Sequence, residues 1–190
     1  CISSKTGTPY VNSMPPPSES LNPANVSPAA PEPPFFVKAF ASGLFSGFSP
    51  FASGTVGSIV GLAIYLIPGF EHPYVIMPAS FFVFLLGIKT AESMEAFYGH
   101  DPAEVTIDEV LGMWMSLWLL PKTLVIAGVG FILFRIFDIF KPFPAKRFEA
   151  LKGGAGIMLD DLVAAAYTNV VLHILLFLPF TRNLISVSTP

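Results

Sequence analysis

Six apolar runs, separated by short polar joints, constrain this chain more than any other feature of its sequence. They cover residues 35–48, 51–68, 74–88, 107–120, 123–140 and 162–180. Several are shorter than the roughly 20 residues that a helix needs to cross a bilayer perpendicularly. The pattern predicts an all-α fold, a small polytopic membrane domain with four to five apolar helices. The first run contains Lys38 and is expected to lie along the membrane interface.

The composition agrees with a membrane protein and excludes several other classes. Hydrophobic residues make up 53% of the chain and charged residues 12%, and the mean hydropathy is +0.65. Such a sequence is too apolar for an ordinary soluble domain. The net charge of −3 and the scattered Lys and Arg residues provide no basic surface, so we expect no nucleic-acid partner. The single cysteine, Cys1, excludes an internal disulfide framework.

The first 34 residues have a different composition from the rest. They are rich in Pro, Ser and Asn and cannot bury a core, so we expect a disordered segment at 1–34. A membrane-embedded domain is expected at 35–182 and a short tail at 183–190. Cys1 admits two interpretations: a lipid-modified cysteine left by signal cleavage, or a fragment or over-extended reading frame with Met14 as the true start. We favour the second because no signal peptide is visible.

The distribution of Lys and Arg residues predicts the orientation in the membrane. One connection, residues 141–159, carries four of the ten: Lys141, Lys146, Arg147 and Lys152. Positively charged loops face the cytoplasm. If the chain crosses the membrane five times, residues 35–53 and 89–106 lie on the same side.

This topology places four polar segments on one face of the membrane. They are GFSPFASGTVGS (47–58), HDPAEVTIDE (100–109), RIFDIFKPFP (135–144) and GGAGIMLDD (153–161). The simplest inference is a single active site at the cytoplasmic ends of the helices.

Five carboxylates lie at the ends of apolar runs within these segments: Asp108, Glu109, Asp138, Asp160 and Asp161. Like charges near a bilayer repel one another unless a cation lies among them. Magnesium prefers carboxylate oxygens and keeps positions open for water and a substrate phosphate. We therefore expect these five residues to be catalytic and to bind Mg²⁺. The alternative is that adjacent acids cap helix N-termini.

Two further patterns suggest phosphate binding. Arg135 and Asp138 are three residues apart, so they share a helix face, and Lys141 follows just beyond. An arginine in an apolar helix either pairs with an acid or binds a phosphate. A Gly- and Ser-rich loop opens another helix near Gly54 and Thr55, where backbone N–H groups suit a phosphate. A structural Arg–Asp pair and a tight packing turn are the respective alternatives.

The four segments, in this order and spacing, resemble the phosphatidylglycerophosphatase A family over about residues 40–178. The resemblance implies a magnesium-dependent phosphatase of the bacterial inner membrane. Its substrate would be phosphatidylglycerophosphate, and its products phosphatidylglycerol and inorganic phosphate, as in phospholipid biosynthesis. The resemblance leaves the oligomeric state open.

The resemblance also assigns residues. The family's Asp-Glu pair matches Asp108 and Glu109, and its terminal Asp-Asp pair matches the two acids at 160–161. Its Arg-Phe-Asp-Lys-Pro stretch matches the segment that contains Arg135, Asp138 and Lys141. In one place the chain departs from the pattern: the family often has Pro-Gly-Thr where this sequence has Ser53, Gly54 and Thr55. The change removes a proline but no functional group.

Other phosphatase chemistries leave recognisable motifs that this sequence lacks. It contains no CxxxxxR, Arg-His-Gly, DxDx(T/V) or Pro-Ser-Gly-His motif. Hydrolysis at a carboxylate–metal site remains, with an aspartyl-phosphate intermediate as an open possibility. The rival hypotheses are a small transporter or channel with intramembrane acids, a non-catalytic membrane partner, and a phosphatase of another lipid phosphate.

Overall fold

A computed structural model describes residues 30–149, 151 and 153–177. In this part of the chain all regular secondary structure is helical. The helices are α1 (Phe35–Ala41), α2 (Ser53–Tyr65), α3 (Pro73–Tyr98), α4 (Ile107–Ser116), α5 (Leu124–Phe140), α6 (Ala145–Glu149) and α7 (Gly154–Phe177), with a 3₁₀ turn at Ser46–Phe48. The all-α prediction is confirmed. The predictions for Cys1, Met14, Lys152 and the tail at 183–190 lie outside the described residues.

Two helices extend beyond the apolar runs that predict them. α3 continues past the run at 74–88 to Tyr98, because a helix tolerates charged residues such as Lys89 on its exposed side. α7 begins at Gly154, so Asp160 and Asp161 lie almost two turns inside it. The alternative that this pair caps a helix N-terminus is therefore wrong.

α4 is the central helix and packs mainly against α2 and α7. Eight of its residues are buried: Ile107, Asp108, Val110, Leu111, Gly112, Met113, Trp114 and Ser116. At 10 residues it is about 15 Å long, too short to cross a hydrocarbon core of about 30 Å alone. Its polar first turn therefore lies among the surrounding helices.

Two of the described helices, α3 and α7, are long and apolar enough to cross a membrane. Only 22% of the apolar stretch of α3 and 33% of that of α7 are buried within the protein. The remaining apolar surface of both helices is available to lipid.

Successive long helices alternate in direction. Near the end of α3, Glu95 accepts a hydrogen bond of 2.7 Å from the backbone N–H of Gly153, just before α7. At the opposite end of the bundle, Lys122 donates to Glu71 at 2.6 Å and to the carbonyl of Ile67 at 2.7 Å. The hydrogen bond from Lys122 lowers the pKa of Glu71. The starts of α2, α4 and α7 consequently lie at the same end as the C-terminal ends of α3 and α5.

Two glycines allow α2 to approach α4 closely. A Cβ atom on Gly57 would lie 2.7 Å from the Cβ of Thr106, and one on Gly61 would lie 2.9 Å from the Cα of Val110. Trp114 donates a hydrogen bond of 2.9 Å to the carbonyl of Gly61. Small residues four apart bring helix backbones together in this way in membrane proteins.

Gly61→Ala is expected to lower the free energy of unfolding by about 1 to 3 kcal/mol, because its new methyl group meets backbone atoms of α4 that cannot rotate away. Thermal unfolding in detergent micelles measures the loss. Gly128→Ala in α5 is the matched control, since its Cβ meets no atom within 4 Å. Equal melting temperatures for the two variants would show that the close approach contributes nothing.

Candidate functional site

A polar cavity of about 300 Å³ lies where α2, α4 and α7 begin and α5 ends. It is lined by Ser53, Asp101, Pro102, Ala103, Val105, Asp108, Glu109, Asp138, Ile139, Lys141, Asp160 and Asp161. Each of the four polar segments contributes at least one of these residues. The segments therefore meet around one cavity.

Most of the site residues predicted from the sequence lie at this cavity. The five acids and Lys141 line it directly. Gly54 lies behind them, because a Cβ atom there would touch a carboxylate oxygen of Glu109 and lie 3.1 Å from both terminal nitrogens of Arg135. Thr55, one residue further along α2, does not line the cavity.

The sequence-based prediction missed two polar residues of the cavity wall, Ser53 and Asp101. Both belong to the polar segments, and their polar side chains next to Gly54 and His100 were the available signal. Asp101 has a φ of 49° and lies on the loop before α4. A residue at such a turn can reach a site that no helix periodicity predicts.

Two of the five acids are paired with cations. Arg135 Nη1 lies 2.7 Å from Asp138 Oδ2, so the predicted shared helix face is confirmed. Lys141 Nζ donates to Asp160 Oδ2 at 2.7 Å, across the space between α5 and α7. The other oxygen of Asp160 accepts the backbone N–H of Asp161 at 3.0 Å. The second ion pair fixes Lys141 at the cavity wall, whereas Arg135 does not line the cavity and lies behind Asp138 and Glu109.

The other three acids face one another. One oxygen each from Asp108, Glu109 and Asp161 can be chosen so that all lie within 4.8 Å of one another. Asp108 Oδ1, Glu109 Oε2 and Asp161 Oδ2 are buried and accept no hydrogen bond from the part of the chain that is described. Buried charges left uncompensated are strongly unfavourable. The arrangement fits a hard divalent cation, which binds carboxylate oxygens.

The N-terminus of α2 also faces the cavity. α2 begins at Ser53, after Ala52 with a φ of 44°. No side chain in the described ranges caps this end of the helix. The backbone N–H groups of a first turn and the positive end of the helix dipole attract anions. The same cavity thus presents oxygen ligands for a cation and N–H donors for an anion.

Comparison with known proteins assigns the chain to a family. The sequence profile of Phosphatidylglycerophosphatase A matches residues 39–176, which include every residue of the cavity. The chain belongs to the phosphatidylglycerophosphatase A family. The predicted family, the phosphatidylglycerophosphatase activity and the enzyme class of phosphoric monoester hydrolase are confirmed. The rival transporter hypothesis has no comparable support.

Three bacterial relatives resemble the chain. It is 38% identical over 152 residues to a Bacteroides thetaiotaomicron protein named "Putative phosphatidylinositol-3-phosphatase", covering 75% of this chain and 94% of that protein. It is 34% identical to the Phosphatidylglycerophosphatase A proteins of Escherichia coli and Haemophilus influenzae. Those matches cover 70% and 71% of this chain, and 79% and 85% of the relatives. No solved structure matches the chain significantly.

A divalent cation is expected to raise the melting temperature of the protein by about 5 to 10 °C at about 100 times its dissociation constant. The reason is relief of repulsion among Asp108, Glu109 and Asp161. Asp161→Asn should melt higher than wild type without the cation and lose most of the response. Scanning fluorimetry with Mg²⁺ and with chelator measures both effects. The control is Glu92→Gln, which neutralises an exposed acid on α3; Mg²⁺ should raise its melting temperature as much as that of wild type. An equal rise in Asp161→Asn would contradict the three-acid cluster as the binding site.

Gly54→Ala is expected to lower kcat/KM about ten- to hundredfold while the fold survives. The new methyl group would press on the ends of the Glu109 and Arg135 side chains, which can move but would leave their present positions. Initial rates on the lipid substrate measure the effect, with the melting temperature as the check on folding. Gly128→Ala, again the control, should keep wild-type activity. Full activity in Gly54→Ala would show that the exact positions of the Glu109 and Arg135 side chains are unimportant for catalysis.

Proposed function

We propose that this protein is a magnesium-dependent phosphatase that hydrolyses the terminal phosphomonoester of phosphatidylglycerophosphate at the cytoplasmic face of a bacterial inner membrane. The observation that carries the proposal is the division of the five acids: two are paired with cations, and three have buried oxygens directed at a common space. This division within one cavity supplies both a metal site and a phosphate site.

The metal ligands in this proposal are Asp108, Glu109 and Asp161. Their unpartnered oxygens and hard oxygen chemistry fit Mg²⁺, which keeps some positions open for water and substrate. When bound there, the ion would neutralise the phosphate charge and polarise its oxygens. Asp138 and Asp160 instead position the two cationic side chains. Of the five acids predicted as metal ligands and catalytic residues, three are therefore proposed to bind the metal.

In this proposal the phosphate binds next to the metal ligands, near Lys141 and the start of α2. Lys141 lines the cavity and supplies a positive charge, while its pairing with Asp160 holds the ammonium in place. Arg135 lies beside Gly54, so its guanidinium and the first turn of α2 converge on the same region. Oriented cations and N–H groups of this kind stabilise charge that develops on a phosphoryl group. Thr55 is proposed to contribute its backbone N–H.

The proposed topology is multi-pass, with four to five crossings and the cavity on the cytoplasmic side. The positive charges of Lys141, Lys146 and Arg147 follow α5 at the cavity end of the bundle, as the positive-inside rule requires of a cytoplasmic connection. The opposite end carries Lys122, which is occupied by Glu71. This asymmetry supports a cytoplasmic cavity.

The proposal includes a preference between two lipid head groups. The names of the relatives refer to two different lipid phosphates, a phosphatidylglycerophosphate and a phosphatidylinositol 3-phosphate. Both are phosphomonoesters on a lipid head group, so the same metal and phosphate sites serve either. We propose phosphatidylglycerophosphate as the preferred substrate because the matched family carries that name.

Purified wild-type protein in detergent is expected to release phosphate from phosphatidylglycerophosphate with Mg²⁺ and to stop when chelator is in excess. Asp161→Ala should lose activity by at least about a hundredfold, because one metal ligand is removed. A parallel assay with phosphatidylinositol 3-phosphate compares kcat/KM for the two head groups.

Three results would count against the proposal. Activity that survives complete removal of metal would exclude the magnesium mechanism. Full activity in Asp161→Ala would exclude the proposed set of metal ligands. Glu92→Ala, which removes an exposed acid, is the control and should keep wild-type activity. A higher kcat/KM for phosphatidylinositol 3-phosphate than for phosphatidylglycerophosphate would contradict the proposed head-group preference but not the proposed metal-dependent hydrolysis.

A further inference from the structure

The rim of the cavity is polar on one side and apolar on the other. Asp101 and Ala103 are exposed on the loop before α4. On the side where α2 begins and α5 ends, three large apolar side chains are exposed: Phe51 at 81%, Ile139 at 69% and Phe140 at 73%. We call these three residues the apolar rim. Ile139 itself lines the cavity, so the apolar rim is continuous with it.

The apolar rim is formed by two segments that approach each other closely. Gly54 lies against Arg135, which brings the start of α2 next to the last turns of α5. Phe51 precedes the cavity residue Ser53 by two positions, and Ser49 holds it by accepting its N–H at 3.4 Å and donating to its carbonyl at 3.0 Å. Phe51 therefore lies on the loop that leads directly into the cavity residue Ser53.

An amphipathic substrate has to satisfy both parts of this surface. The phosphomonoester group binds in the polar cavity. The hydrocarbon chains extend out of the cavity, and they lose favourable burial if they pass over charged side chains. Exposed phenylalanine and isoleucine side chains next to a polar cavity mark a surface that an apolar ligand covers. In a bilayer that ligand is lipid, and the apolar rim is the side of the cavity that suits it.

We propose that the apolar rim binds the acyl chains of the phospholipid substrate, whose phosphate enters the cavity between the start of α2 and the end of α5. This inference rests on the proposed function and adds the orientation of the substrate. The head group then extends toward Asp101 and the loop before α4, and the acyl chains extend into the surrounding leaflet.

The test compares lipids that share a head group and differ in chain length. Initial rates are measured on dipalmitoyl and dihexanoyl phosphatidylglycerophosphate in detergent micelles for wild type, Phe51→Ser and Phe140→Ser. We expect the ratio of kcat/KM for the long-chain lipid to that for the short-chain lipid to fall about tenfold in either variant, through a higher KM. The control is Phe36→Ser, which removes an exposed aromatic ring from α1, a helix that contributes no residue to the cavity.

The possible outcomes separate this inference from the proposed function. Wild-type protein that hydrolyses neither lipid would overturn the proposed function and the inference with it. Active wild type with an unchanged chain-length ratio in both folded variants would overturn the inference alone. An equal fall in Phe36→Ser would assign the effect to general membrane anchoring and would also overturn it. If one rim variant fails to fold, the other decides.

Discussion

The site depends on three neighbouring carboxylates at one end of the short central helix, each of which keeps one buried oxygen without a hydrogen-bond donor from the described residues. Asp108 and Glu109 occupy the first turn of α4, where the helix dipole partly offsets their charge, and α7 adds Asp161 from the side. Such a cluster is tolerable only where cations are near. The chain supplies two of them, Arg135 on α5 and Lys141 directly after it, and each pairs with a different acid. The three remaining carboxylates each keep an oxygen available for a metal ion. The site therefore combines two acids held in ion pairs with three acids that each have an oxygen free of hydrogen bonds from the described residues.

The helical bundle holds this arrangement in place. Because the long helices alternate in direction, residues far apart in sequence reach one end of the molecule, while the connection at the other end is secured by Lys122 and Glu71. Close contact between α2 and α4 at Gly57 and Gly61 brings the N-terminus of α2 to the cavity. The apolar surfaces of α3 and α7 remain outside, available to lipid. The cavity thus lies at one end of the helical bundle, where α2 and α4 begin and α5 ends.

The helical class and most of the cavity's charged residues could be predicted from the sequence, because polar segments separate the apolar runs. Charged residues are so unfavourable in such surroundings that their positions are informative, and the ion pair of Arg135 with Asp138 follows from helix spacing. The start of α7 was less predictable, since the glycines at 153, 154 and 156 precede the apolar run at 162–180, yet the helix already begins at Gly154 and packs on α3 there. Ser53 and Asp101 escaped prediction because a turn, and not a periodic pattern, brings them to the cavity.

The sequence by itself determined the helical class, the family and the set of acids and cations from which a site could be built. These properties depend on local composition and on spacing along one helix. Only the tertiary structure decided that Asp160 is paired, because Lys141 reaches it across the space between α5 and α7. The same holds for the cluster of Asp108, Glu109 and Asp161, whose oxygens approach one another through the packing of α4 against α7. Distances between helices depend on packing, and no pattern within one helix specifies them.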